Sequence, residues 1–337
     1  MTYLKNKINK TNQIRQTKTL IIGAGFAGLY LSQVLMDGNY DDFLVIAPNK
    51  KTVSDKSYYR IRSRGMRQDS LKKTILDVGQ GKNNHQLVNV LVENIDDELT
   101  KLSLLTELQP SYVGVQVKRP QKFLAELKRK SAGKREIGEV LRIEKSRRFF
   151  KVDTTNGLIL CKKIVFCTGG LRSKISSLFE DEAVLSDAFN LAKNIGCKTD
   201  CLNRIMYHPF YSGNKCLPSD DLFGFKIVDA NGKGLPKTNR LIESHNAHFC
   251  FEEILKEMKN AGNYFAIKQK TKIKLNIAPH YRLGGIAINK NGQTNVKNVY
   301  ALGECSFGLH GLGRVGGCAL SEILVMARII SRKLIKE

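Results

Sequence analysis

Between Lys18 and Leu31 a short apolar run, Leu20 to Ile22, breaks into Gly23-Ala24-Gly25-Phe26-Ala27-Gly28 before a helical pattern starts at Leu29. Strand, glycine turn and helix in that order constrain the fold more than any other stretch. Each glycine has a separate reason: Gly23 for the tight turn, Gly25 so that backbone can approach a pyrophosphate, Gly28 so that helix and strand lie close. The free N–H groups of the helix then face the phosphates. A glycine triplet alone says little, because any strand-to-helix turn can use one. Here a second apolar run, Phe43 to Ala47, follows at the spacing of the next parallel strand. The stretch is therefore read as a dinucleotide-binding turn.

The 337 residues, 42% of them hydrophobic, can bury a large core, and the length suggests about two domains. The most apolar window, around residues 20 to 31, is interrupted by glycines and too short to span a bilayer. Residues 1–17 are rich in Lys and Asn without an apolar segment, so they read as a basic arm and not as a secretory signal. Eight cysteines in a chain without an export signal read as reduced thiols, the expectation for a cytoplasmic protein. Cys197 and Cys201 are the one close pair, with no second pair or histidine cluster at a matching spacing, so no metal site is expected. The net charge of +24, from 55 basic and 31 acidic residues, would attract any polyanion. The basic runs, such as Lys128 to Arg135 and Lys268 to Lys274, are dispersed and not interleaved with aromatics, and Trp is absent. Nucleic acid is disfavoured as a partner on that ground. A generally basic surface remains, open to peripheral contact with a membrane or an acidic protein.

Along the chain, Thr52 to Met66 reads as a polar, basic loop. Residues 84 to 103 carry Leu87, Val90, Leu91, Ile95, Leu99 and Leu102 near helical spacing, and Gln121 to Lys130 is a second amphipathic helix. Strands follow at Val140 to Ile143 and Phe149 to Val152, with a turn at Thr155-Asn156-Gly157. The strand ending at Cys167 closes on Thr168-Gly169-Gly170, bare backbone at a strand's carboxyl end, where a doubly wound sheet binds its cofactor. The middle, from about Leu185 to Lys270, is less regular: a helix from Ser186 to Ile195, a strand-turn-strand across Ile227 to Gly234, and a helix from Phe249 to Met258. It reads as a small domain inserted between two parts of the first. The last strand, Val299 to Leu302, stops at Gly303-Glu304. A loop holding Gly308, His310, Gly311, Gly313, Arg314, Gly316 and Gly317 then precedes a helix from Ala319 to Leu334. Five glycines, a cation and a histidine in one loop suit an anion or a planar ring at a helix N-terminus.

These segments together resemble the flavoproteins related to fumarate reductase, succinate dehydrogenase and L-aspartate oxidase, nearest to the last. The resemblance is carried by the Gly23-x-Gly25-x-x-Gly28 turn, Thr168-Gly169-Gly170, Tyr207-His208-Pro209, and His280-Tyr281 ahead of Gly284-Gly285. Above all it rests on Val299 to Glu304 running into His310-Gly311-Leu312-Gly313-Arg314-Val315-Gly316-Gly317. It implies an α/β fold: a Rossmann-like FAD-binding domain, split in sequence, with an inserted small α+β capping domain. The corresponding division is a basic arm at 1–17, FAD domain at 18–184, cap at 185–271, and the rest of the FAD domain at 272–337. By the resemblance, FAD is held by the turn from Gly23 through Ala24, Gly25, Phe26, Ala27 and Gly28, by Ala47 and Gly65, by Thr168, Gly169 and Gly170, by Asp187, by Gly303 with Glu304 on the ribityl chain, and by Ala319 and Leu320 at a helix N-terminus. His208, His280 and Arg314 would grip the carboxylates of a small anionic substrate, an amino acid or dicarboxylate. Taken singly, each histidine would read as a buried, satisfied side chain.

The departures are specific. Aligning on the helix ending in Glu257-Met258-Lys259 puts Ala247 where the family's cap carries its proton-exchanging arginine. His245 and His248 flank it and are the candidate acid or base. Arg62-Ser63-Arg64-Gly65 replaces the usual Ala-x-Gly-Gly. No histidine lies in residues 52 to 70, so FAD is expected to be noncovalent. Ala47-Pro48 stands where many dinucleotide folds carry an acidic residue, though this family often does not. No second Gly-x-Gly-x-x-Gly is present, which disfavours a separate NAD(P)H domain. The expected chemistry is hydride transfer at flavin N5, with oxygen, a quinone or fumarate as acceptor. The rival readings are a cap remodelled for another substrate and a flavin-binding electron-transfer or scaffold protein without turnover.

Overall fold

A computed structural model describes residues 14–49, 59–65, 68–111, 113–170, 187–213, 215–217, 219–243 and 252–336. Strand β1 (Arg15–Ile22) alternates between half-buried and exposed residues up to Lys18 and is wholly buried from Thr19. Its first residues already pair with Ile159 to Cys161. The basic arm expected through residue 17 therefore gives way at Arg15, whose guanidinium is ion-paired with Glu136. Helix α1 (Phe26–Asp37) is buried from Phe26 to Leu35, and β2 (Phe43–Ala47) returns parallel to β1.

The stretch read as a loop through Met66 contains β3 (Arg60–Arg62), a three-residue strand whose central Ile61 is fully buried. Helices α2 (Gln68–Val78) and α3 (His85–Ser103) follow, the latter capped by the Asn84 side chain accepting from Gln86 and Leu87 N–H. Strands β4 (Leu108–Ser111) and β5 (Gly114–Val117) complete an antiparallel sheet with β3. After α4 (Pro120–Lys130) come β6 (Arg135–Ile137), the hairpin β7 (Val140–Lys145) and β8 (Phe150–Thr154), and the long β9 (Gly157–Phe166).

Farther on lie α5 (Asp187–Asn194), β10 (Thr199–Asp200), β11 (Ile205–Ser212), β12 (Lys215–Cys216), β13 (Lys226–Asp229), α6 (Pro236–Glu243) and α7 (Glu252–Ala261). The chain ends with β14 (Tyr264–Lys268), β15 (Thr271–Arg282), β16 (Gly285–Ala287), β17 (Val299–Ala301), β18 (Ser306–Phe307) and α8 (Cys318–Lys336). Among the described residues no helix is long and apolar enough to cross a membrane.

The main sheet runs β6-β2-β1-β9 in parallel, with β17 also parallel on β9 and the β8-β7 hairpin continuing the edge. Ile22 lies opposite Phe166, and Phe166 opposite Ala301. Three strands thus end at one level and hand over to Gly23, Cys167 and Leu302. That shared carboxyl edge is where the Rossmann-like order places its ligand crevice.

A second sheet, β12-β11-β15-β14-β13, is antiparallel and has a separate core of Phe210, Ile227, Leu241, Ile254, Met258 and Leu275 with their neighbours. The expected cap boundaries do not coincide with these cores. Residues 171–186, which hold the expected start, lie outside the described set, and α5 packs Phe189, Leu191 and Ala192 into the larger core. The boundary drawn between residues 271 and 272 falls inside β15, which pairs with β14 at one end and with Ile205 of β11 at Arg282. That continuous twelve-residue strand lies wholly within the second sheet.

Candidate active site

The turn after β1 is closed by backbone. Gly23, at φ +114°, accepts no side chain without strain, and a Cβ there would stand 2.3 Å from the Cys167 carbonyl oxygen. A Cβ on Gly28 would stand 2.0 Å from the Gly23 carbonyl oxygen. Gly25 is the N-cap of α1 and brings no side-chain hydrogen bond to the helix end, whose first turn carries no acidic residue. Such an end has free N–H groups and a positive pole, the chemistry of a phosphate cradle. A side chain at Gly303 would meet Ala27 and Ile323 at 3.3 Å, and one at Gly38 would meet Ile335. Helices α1 and α8 therefore run side by side in the same direction, with both N-termini at the sheet's carboxyl edge. Residues 23 to 28, 168 to 170 and 303 to 304 meet there, as FAD requires.

Glu304 sits where these segments converge. Its carboxyl accepts from Arg282 N–H at 2.8 Å and from Gly170 N–H, yet burial pushes it up to about 7 against the pull of those donors and of Arg314. Gly170 lies against it: a Cβ there would stand 2.7 Å from Glu304 Cγ and 2.8 Å from Arg282 Cβ. Arg282 itself is only 2% exposed. Its Nε donates to the Gly170 carbonyl at 3.0 Å, its Nη1 donates to the Leu202 carbonyl, and its guanidinium faces the Phe189 ring at 5.9 Å.

Beside this corner, β11 and β15 bring His208 and His280 together, ring centroids 5.0 Å apart. Burial, helped by the charge of Arg314, pushes His208 down to about 3; burial, then His208 and Arg314, holds His280 well below the usual imidazole range. Both are neutral at physiological pH. Phe210 N–H donates to His208 Nδ1 at 3.2 Å, with Cys216 Sγ at 3.6 Å from the same nitrogen, so the ring proton belongs on Nε2. Tyr211 Oη lies 3.1 Å from His280 Nδ1. Arg314 stacks on Tyr281 at 4.5 Å, and Tyr281 in turn meets His310 edge-on at 5.6 Å.

Several sequence expectations change here. His310, read as part of an anion- or ring-binding loop, is 6% exposed, and its Nε2 lies 2.9 Å from Glu322 Oε2, while the other carboxylate oxygen of Glu322 accepts from Ser306. It braces the loop from below. Arg62 is in a strand and not a loop; its Nε donates to the Gly316 carbonyl, and its own carbonyl accepts from Ser321 beside Ala319 and Leu320. Ala47 ends β2, next to Ile46, whose carbonyl accepts from Gly23 N–H. Gly65 is exposed, at positive φ, with nothing among the described residues within 4 Å of its Cβ position. Thr168 hydrogen-bonds to Cys305, adjacent to Glu304. Asp187 opens α5. His245 and His248 lie outside the described residues. Arg282, Tyr211 and Glu322 were not singled out from the sequence, and Tyr281 was named only as part of the His280-Tyr281 motif; an arginine between Tyr281 and Leu283 was the available signal.

A family model described as an FAD binding domain matches residues 245–320. The L-aspartate oxidase of Clostridium perfringens is 25% identical across 93% of this chain and 85% of its own length. The Vibrio cholerae L-aspartate oxidase is 26% identical over 53% of this chain and 40% of its own. Among solved structures, the Escherichia coli quinol fumarate reductase superposes with a TM-score of 0.77 at 18% identity, covering 96% of this chain and 70% of that one. The chain is an FAD-dependent oxidoreductase, similar in sequence to L-aspartate oxidases and in fold to a fumarate reductase. In this flavoprotein the glycine turn, the Thr-Gly-Gly turn and Gly303-Glu304 fit FAD at a shared sheet edge, and the histidine pair with Arg314 lies next to it.

Proposed function

We propose that the flavoprotein oxidises or reduces a small anionic substrate, an amino acid or a dicarboxylate, bound by Arg314, His280 and His208. The observation that carries this reading is the meeting of one guanidinium with two histidines that burial keeps neutral. A planar cationic fork and two neutral N–H donors suit a carboxylate and its neighbouring polar group without burying excess positive charge. When bound, FAD supplies two-electron chemistry, a hydride given or taken at N5. Residues Gly23 to Gly28 would cradle its pyrophosphate, and Glu304 would take the ribityl hydroxyls. Thr168 to Gly170, Ala319 and Leu320 would line the flavin, with Ala47, Gly65 and Asp187 assigned by resemblance to the family. Attachment is noncovalent in this reading.

The smaller sheet acts as the cap, and Arg60, ion-paired with Asp221 at 3.5 Å, ties it to β3. His208 presents its Nε2 proton to the substrate, because Nδ1 is engaged by Phe210 N–H. Proton exchange at the reacting carbon is assigned to His245 or His248, on the sequence alone. The names of the relatives support a dicarboxylate or aspartate as substrate and fumarate, a quinone or oxygen as acceptor.

The test is an anaerobic titration of the FAD-loaded protein. L-Aspartate or succinate should bleach the oxidised flavin, or fumarate should reoxidise the reduced one. A flavin inert to all three, and to a wider panel of amino and dicarboxylic acids, contradicts the reading.

A further inference from the structure

We propose that Arg282 is a positioning residue for the flavin site: it holds in place both backbone N–H groups that cap the Glu304 carboxylate. One of those donors is its own, at 2.8 Å from Glu304 Oε1. The other belongs to Gly170, whose carbonyl is bound by Arg282 Nε at 3.0 Å. Arg282 thus supplies one donor from its own backbone and holds Gly170, which supplies the other, through the carbonyl of that same residue. The Nη1 bond to the Leu202 carbonyl anchors the same guanidinium to the segment between β10 and β11, so the clamp also spans the approach to the second sheet.

The arrangement has an electrostatic purpose. Arg282 is the largest fully buried side chain of the described chain, and an arginine kept away from water for packing alone would be costly. A carboxylate in a desolvated corner stays ionised only if donors are aimed at it. An ionised Glu304 is the better acceptor for hydroxyl groups. Arg282 would therefore set the pH range over which the site takes up FAD. This inference rests on the reading that Glu304 meets the flavin.

The experiment measures FAD affinity of the full chain from pH 5.5 to 8.5 for the wild type and for Arg282→Gln, Arg282→Lys and Glu304→Gln. Wild-type affinity should rise as Glu304 ionises, with a midpoint near 7. Arg282→Gln should move that midpoint up by about one unit, giving about fivefold weaker binding at pH 7, approaching about tenfold at lower pH, and convergence on the wild type as pH rises. Arg282→Lys, which keeps a cation within reach of the carbonyls, should recover most of the loss. An equal loss at every pH, or an unmoved midpoint, overturns the inference. Glu304→Gln tests the underlying reading separately: binding that keeps the wild-type pH dependence in that variant removes Glu304 from the flavin. If Arg282→Gln fails to fold, Gly170→Ala displaces the same peptide and should shift the midpoint in the same direction; an unchanged midpoint there contradicts the clamp.

Discussion

The segment from the end of β15 to α8 and the second sheet are built under different constraints. In the first, backbone touches backbone: a Cβ on Gly284 would stand 1.9 Å from the Cys201 carbonyl oxygen, and one on Gly285 2.4 Å from that of Cys305. In the second sheet's turns, Gly232 and Gly262 have nothing within 4 Å of their Cβ positions, and the core is a set of aliphatic and aromatic side chains. Close backbone approach dictates residue identity; a hydrophobic core dictates only size and apolarity. The contrast accounts for the concentration of glycine motifs in the first segment.

The largest test of that contrast is Gly28→Val. With the Gly23 carbonyl only 2.0 Å from the new Cβ, the turn must open. We expect FAD binding to be abolished and folding stability to fall by about 4 kcal/mol or more, read by retained flavin and thermal unfolding. Arg314→Ala sharpens the comparison from the other side. FAD should stay bound while affinity for an anionic substrate falls by roughly 2 to 5 kcal/mol; loss of FAD itself would move Arg314 from the substrate to the cofactor.

A pH effect comes next. Above pH 6.5 His208 is neutral whether folded or unfolded and adds no pH dependence. As pH falls below 6.5 the unfolded ring takes a proton that the folded ring refuses until about 3, so stability is lost across that window. His280 adds to the loss in the same direction. Denaturant titrations at pH 7 and 5 should show a drop, and His208→Gln should flatten it. The smallest effect is expected at Glu257, whose carboxylate accepts from Lys237 N–H at 3.0 Å, Thr238 N–H at 2.8 Å and Thr238 Oγ1 at 2.6 Å. Glu257→Gln should cost about 1 to 2 kcal/mol in stability and leave FAD affinity untouched.

The sequence was most legible where local chemistry and fold agreed. The β1 turn and α1 follow from three glycines and an apolar run, and α3 from its periodicity. Short elements were less readable. β3 has one buried residue between two arginines, too little for a period-two pattern. Helix α6 starts at Pro236, a usable signal hidden by the preceding strand-and-turn reading, which extends to a single bridge between Val228 and Gly234. Arg282 illustrates a deeper limit. Its partners, Gly170 and Leu202, are 112 and 80 residues away, and both offer only backbone carbonyls, which leave no mark in the sequence. The boundary drawn at 271/272 falls within β15, which continues from its pairing with β14 to its pairing with β11 in one sheet, so composition changes nowhere near it.

The most direct measurement of the central claim is the flavin content of the purified chain after incubation with FAD and desalting, compared with Gly28→Val and Glu304→Ala. The account predicts a yellow protein carrying a single flavin per chain, with uptake abolished by the first substitution and weakened by the second, at opposite ends of the sequence. A colourless wild-type protein, or two variants that hold FAD as tightly as the parent, would contradict it.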